Sequence, residues 1–218
     1  YDVLCRGRPL IVARRYQSYV IEHILFKIAY PAEFHAQTAV EAAIRLHPQV
    51  RDRLQEIQRV RIETQESAVW IIDKRGPLSN PADRDHCLQY MVAVGLLEGR
   101  LSADHYQDDY ARDPRLDPLR DKMEVAENPR YSRDYLDPSK RSIANAVQVF
   151  FADGSATPRV EVEYPLGHWR RRAEAVPQLE EKFRTNLASR LPAEQGQAIL
   201  ELFHAPQRLE SLPVDRFM

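Results

Sequence analysis

The chain has 218 residues, 44% of them apolar, enough to fill the core of one large or two small domains and to exclude a wholly disordered protein. Its 31 basic and 32 acidic residues nearly cancel, and a net charge of −1 gives no reason to expect steering towards nucleic acid or a membrane surface. Only Cys5 and Cys87 are present. That excludes a three- or four-cysteine iron–sulfur or zinc site built from this chain alone, and it fits a reducing, cytoplasmic compartment better than a disulfide scaffold.

The opening "YDVLCRGRPL" carries no initiator Met, charged n-region or h-region, so no signal peptide is expected and the chain reads as a segment of something longer. No apolar run approaches the roughly 20 residues of a membrane helix. From Tyr19 to Ala29, "YVIEHILFKIA" has the β-branched, apolar character of a strand and stops at Tyr30-Pro31, a pair biased towards extended backbone. "EFHAQTAVEAAIRL" then places Ala36, Ala39, Val40, Ala43 and Ile44 at helical spacing. A helix of about three to four turns is expected, ended by His47-Pro48.

"QRVRIET" alternates Val60 and Ile62 with charged residues, as a strand with one wet face does. "NPADRDHCLQYMVAVGLLEG" opens as one helix, with Asn80 as cap, Pro81 at the first position and Asp83 near the positive end. In "SADHYQDDYARDPRLDPLRDKMEV", Leu116, Leu119 and Met123 predict a short amphipathic helix after Pro114. "ANAVQVFFADGSATPRVEVEYP" contains two alternating runs, Val147/Val149/Phe151 and Val160/Val162/Tyr164, around a turn with Asp153-Gly154, the pattern of an antiparallel hairpin. Beyond Pro177, "QLEEKFRTNLASRL" and "AEQGQAILELFHA" read as two surface helices, the first with an apolar stripe of Leu179, Phe183 and Leu187. The expected class is α+β: a small antiparallel sheet packed with helices over residues 1–165, then a helical segment over 166–218.

Several side chains have both a structural and a chemical reading. On a continuous helix Asp83, His86 and Tyr90 share a face; the structural alternative is a half-buried tyrosine beside a hydrogen-bonded histidine. Lys27 ends an apolar strand, where it either snorkels outward or meets an anion. With the N-terminus of the helix after Pro31 and with His35 one turn in, it converges on a possible carboxylate or phosphate site. In "YPLGHWRRRAEA", His168 lies beside Arg170, Arg171 and Arg172, which either clamp carboxylates or form a solvated or inter-subunit face. The remaining histidines show no metal-ligand spacing, and no glycine-rich phosphate cradle exists among seven glycines.

"FKIAYPAEFHAQTAVEAA", "ADRDHCLQYMVAVGLLEGRL", "SKRSIANAVQVFF" and "VEYPLGHWRRR" together resemble the MmgE/PrpD family, closely so its branch acting on 2-methylcitrate, over a match from about Gly7 to the end. The resemblance implies a large all-helical domain, absent from this chain, and a smaller α+β lid domain formed by residues 1–165, with 166–218 returning to the helical domain. It implies a homodimer and a cofactor-free, metal-free hydro-lyase that eliminates water from 2-methylcitrate to give 2-methyl-cis-aconitate in propionate catabolism. On the same resemblance Lys27 corresponds to a lysine holding a substrate carboxylate, Tyr90 to the tyrosine of an H-x-x-x-Y helix, and His35 to a lid histidine. His86 and Arg170 join Lys27 as substrate-binding residues, with His35 and Tyr90 catalytic. The partner is a small tricarboxylate, not nucleic acid or a membrane. Two alternatives stay open: the cis-aconitate decarboxylase branch, which carries a histidine where this chain has Glu33, and a binding or dimerisation segment without activity of its own.

Overall fold

The computed structural model describes residues 5–9 and 28–217. Lys27 and nearly all of the strand expected over 19–29 lie outside the described residues. The first helix, α1, runs Gln37–Val50 and is followed by strand β1, Ile57–Thr64. Pro48 sits inside α1 and does not end it. Its missing N–H removes a single bond in the last turn, while the buried Val50 and a 2.8 Å bond between His47 Nδ1 and the Leu96 carbonyl hold that turn in place.

After β1 come α2 (Glu66–Ile72), α3 (Pro81–Asp85), α4 (Leu88–Glu98), α5 (Asp108–Ala111) and α6 (Leu116–Arg120). Then follow β2 (Met123–Glu127), α7 (Pro129–Leu136), β3 (Asn145–Phe151) and β4 (Val160–Val162). The final stretch is helical: α8 (Arg172–Ala188), α9 (Ala193–Phe203), α10 (Pro206–Ser211) and α11 (Val214–Phe217).

The four strands lie in the order β2-β1-β3-β4. β3 pairs antiparallel with β1 and β4, so the expected hairpin forms, with Val147 opposite Val160 and a turn through Asp153-Gly154. The sheet is mixed and not wholly antiparallel, because β2 runs parallel to β1, pairing Val60 with Met123 and Ile62 with Val125. A chain that leaves β1 and returns through several helices comes back in the same direction, the usual origin of a parallel pair. Met123 therefore opens a strand and does not complete the helix expected from it.

The inward face of the sheet, with Val60, Ile62, Val147 and Val149, is fully buried in one cluster with Leu46 of α1 and Met91 of α4. α4 is apolar on nearly every side and buried from Leu88 to Leu97, to the point that Gln89 is covered and paired with Asp73. On the other face Tyr131 of α7 packs on Ala144 and Ala146.

The long helix expected from Asn80 is broken. Asn80 does cap α3, accepting the Asp83 N–H at 3.0 Å. His86 and Cys87 then leave helical geometry, Cys87 being extended at φ −119° and ψ 107°. No glycine or proline marks the break. It follows from tertiary anchoring: Asp83 pairs with Lys74, and the Cys87 thiol lies 3.4 Å from the carbonyl of the same lysine. The common face proposed for Asp83, His86 and Tyr90 does not exist.

α8 likewise starts before Pro177, which lies within it. A 3₁₀ turn at Trp169–Arg171, capped by the His168 ring accepting the Arg170 N–H at 3.2 Å, starts the helical path early. Pro177 then sits inside the helix, where it removes one backbone bond and crowds the carbonyl one turn earlier.

Candidate active site

The stretch Tyr30-Pro31-Ala32-Glu33 delivers Glu33 in extended geometry to the start of a 3₁₀ turn, Phe34–Ala36. There its carboxylate acts twice. Oε2 accepts the backbone N–H of His35 at 2.7 Å, and Oε1 accepts the ring Nδ1–H at 2.9 Å. The opposite ring nitrogen, Nε2, lies 3.2 Å from the hydroxyl of Tyr135 on α7. His35 is 8% exposed and its carbonyl is held by Asn145 Nδ2 at 2.8 Å. Asn145 also donates to Thr38 at 2.7 Å, and Thr38 donates to the Ile143 carbonyl at 2.5 Å, fixing this turn to β3.

The result is a carboxylate–imidazole–phenol series. A carboxylate on Nδ1 sets the tautomer with its proton on that nitrogen, leaves Nε2 as the basic atom, and stabilises the imidazolium if Nε2 takes a proton. Such an arrangement can move a proton in either direction at Nε2 or at the tyrosine oxygen. Tyr135 opens onto a cavity of about 360 Å³, lined also by Phe34, Leu136, Asp137, Pro138, Arg141 and Ile143.

Of the residues expected from sequence, Arg170 reaches the same neighbourhood. Its guanidinium stacks over Trp169 at 4.6 Å and Tyr164 at 5.1 Å and donates to the Ser139 carbonyl at 3.0 Å, in the loop that follows Tyr135. His168 is fully buried, and burial pushes its imidazole down to about 4, so it is neutral near pH 7. Arg171 is taken up by Glu41, Glu174 and the Tyr164 carbonyl.

His86 and Tyr90 have other partners. His86 is exposed and bonds to its neighbour Asp85. Tyr90 is 3% exposed, stacks on Tyr106 and donates to the His105 carbonyl at 2.5 Å, while burial raises its phenol to about 12. Tyr135 and Arg141 were not among the residues expected from sequence. Tyr135 stands 100 positions from His35, a separation no local pattern spans. Among the described residues no three His, Cys, Asp or Glu side chains converge as metal ligands, and no helix is long and apolar enough to cross a membrane.

An α+β unit with a part-buried carboxylate–histidine–tyrosine series beside a cavity is the setting in which the relatives of this sequence become informative. The MmgE/PrpD C-terminal domain family matches residues 30–205. A Cupriavidus necator protein named 2-methylcitrate dehydratase is 57% identical over 100% of this chain and 46% of its own length. One of the same name from Salmonella typhimurium is 52% identical with the same coverage. A "Probable 2-methylcitrate dehydratase" of Saccharomyces cerevisiae is 50% identical over 86% of this chain and 37% of its own length. The chain belongs to the MmgE/PrpD family, as its C-terminal domain. It spans about half the length of the curated relatives it matches.

Proposed function

We propose that this chain supplies part of the active site of a 2-methylcitrate dehydratase, a hydro-lyase that converts 2-methylcitrate into 2-methyl-cis-aconitate and water. The observation that carries the reading is His35 held between Glu33 and a tyrosine, Tyr135, that lines a cavity, in a chain 57% identical to a protein of that name. Elimination removes a proton from the carbon next to a carboxylate and delivers a proton to the departing hydroxyl oxygen. The two transfers balance when one group acts as base and another as acid. His35, with its lone pair at Nε2, is assigned to this acid–base work, with Tyr135 as its proton partner.

Lys27, by resemblance, and Arg170, by its place on the Ser139 loop, are assigned to the substrate carboxylates. His86 and Tyr90, engaged by Asp85 and the His105 carbonyl, are assigned to the support of α3 and α4. Residues 166–218 are assigned to packing against the rest of the protein, a reading supported by the half-exposed Val176, Leu179 and Phe203. A cytoplasmic homodimer completes the proposal, consistent with the free thiols of Cys5 and Cys87.

The test is turnover of 2-methylcitrate by the full-length protein and its His35→Gln variant, followed by the absorbance of the conjugated product. A loss of about 10²- to 10⁴-fold in kcat with an unchanged circular dichroism spectrum is expected. Unimpaired turnover in the variant removes His35 from the mechanism. Failure of the wild type to act on 2-methylcitrate, with itaconate formed from cis-aconitate, replaces the dehydratase by a decarboxylase.

A further inference from the structure

The loop Asp137–Arg141 between α7 and β3 ends on an unusual backbone. Arg141 has φ +47°, in the left-handed region where glycine is at ease and a long side chain is not. A residue held there at a cost points to a gain elsewhere. The turn is closed without the arginine side chain: the Arg141 N–H donates to the Asp137 carbonyl at 2.8 Å, and Lys140 pairs with Asp134 at 2.7 Å. The Arg141 guanidinium is exposed and has no ion pair or side-chain hydrogen bond among the described residues.

Arg141 lines the cavity onto which Tyr135 opens, so a fork of N–H donors and the tyrosine bonded to His35 border one space. Asp137 is the other charged residue of the lining. Its Oδ1 is taken by the Ser139 N–H and hydroxyl, each at 2.8 Å. Phe34, Leu136, Pro138 and Ile143 make the remaining wall apolar. A planar, unpaired guanidinium against apolar walls matches a carboxylate in shape and charge, and two parallel N–H···O bonds would orient it. Arg170, on the Ser139 carbonyl, steadies the loop from the protein side.

We infer that Arg141 binds one carboxylate of a tricarboxylate substrate beside the His35–Tyr135 pair, its left-handed backbone aiming the guanidinium across the cavity. The inference rests on the dehydratase reading above and adds the group that fixes the substrate. Arg141 holds the ligand and takes no part in proton transfer.

The test uses full-length protein carrying Arg141→Gln, Arg141→Lys and Arg141→Gly. Arg141→Gln is expected to raise KM for 2-methylcitrate by about tenfold or more, with kcat changed less than about threefold, and Arg141→Lys to recover part of the loss. Arg141→Gly removes charge and backbone strain together, so it should show the same rise in KM with a Tm equal to or above the wild type. An unchanged KM in Arg141→Gln and Arg141→Gly overturns the inference and leaves the dehydratase reading intact. If the wild type does not dehydrate 2-methylcitrate, the dehydratase reading falls by itself. Calorimetric titration of propane-1,2,3-tricarboxylate then decides: weaker binding to Arg141→Gln than to wild type supports Arg141 as a carboxylate site, and equal or absent binding in both overturns it.

Discussion

Arg171 grips Glu41 with both arms of its guanidinium, Nη1 donating to Oε2 at 2.8 Å and Nη2 to Oε1 at 3.0 Å. Glu41 lies on α1 and is 6% exposed; Arg171 leads into α8 and also donates to the Tyr164 carbonyl at 2.6 Å. The bridge ties the C-terminal helices to the helix that carries the site turn. Arg171→Met leaves the buried Glu41 carboxylate with Arg45 as its remaining cation, at 2.5 Å, and with one oxygen uncovered, and is expected to cost about 1–3 kcal/mol in urea unfolding. Removing both charges, as Arg171→Met with Glu41→Leu, should recover most of that loss. A double variant as unstable as the single one would show that the pair is not the cause.

Gly95 marks a close approach of α4 to α1. A Cβ there would stand 2.9 Å from the Ala43 Cβ, nearer than real contacts allow. Helix propensity alone favours Gly95→Ala by about 1 kcal/mol. Overpacking opposes it by about 1–3 kcal/mol. Net destabilisation is expected, and Ala43→Gly in the same chain should reverse part of it. Thermal unfolding of the three variants checks the sign.

Stability should fall in acid in two stages. Burial lowers His168 from 6.5 to about 4. Between those values the unfolded chain binds the extra proton, so this contribution is complete above pH 6.5 and is lost as pH falls towards 4. Burial opposes ionisation of Glu161, yet hydrogen bonds from Arg130, Arg159 and Tyr131 draw it from 4.5 down to about 2. Its contribution is complete above 4.5 and fades as pH falls through 2. Urea midpoints across this range should show the first decline near His168's window. Asn in its place offers a similar acceptor to the Arg170 N–H, so His168→Asn should flatten that first decline and leave the second.

The proton series makes a separable prediction. Glu33→Gln keeps an acceptor for the His35 N–H but removes the charge that supports an imidazolium, and Tyr135→Phe removes the partner at Nε2. On the dehydratase reading, each is expected to lower kcat in the full-length protein by about 10²-fold. The double variant should lose less than the product of the two, because both act through one ring. Multiplicative losses would mean that Glu33 and Tyr135 act independently and not through His35, and a change in Tm with kcat intact would mean that they serve only the fold.

Where the sequence was legible, a local signal was strong. Val60 and Ile62 alternate with charges and form β1; Val147, Val149 and Val160 flank a turn and form the hairpin; Asn80 and Pro81 begin α3. Where it was not, tertiary contacts chose between local options. "MEVAE" is five residues whose Met123 and Val125 suit a helix end or a strand equally, and only the adjacent β1 makes it β2. The break at His86-Cys87 has no breaker residue, and with it went the expected face shared with Tyr90. His35 stood out in its motif as a candidate, and the structure gives it Glu33 and Tyr135 as partners. Tyr135 and the neighbouring Arg141 did not stand out, since helix α7 and the chain reversal after it bring them there from a distant segment.

The two outer strands of the sheet carry a consequence for assembly. β4 is only three residues long, and β2 presents Glu124 and Glu127 along a short border, with Glu124 paired to Arg59 at 3.2 Å. Brief, charged borders discourage the backbone of another chain from docking as a further strand. Among the described residues the sheet therefore offers little border for a further strand, and the faces left for other contacts are those of helices and side chains.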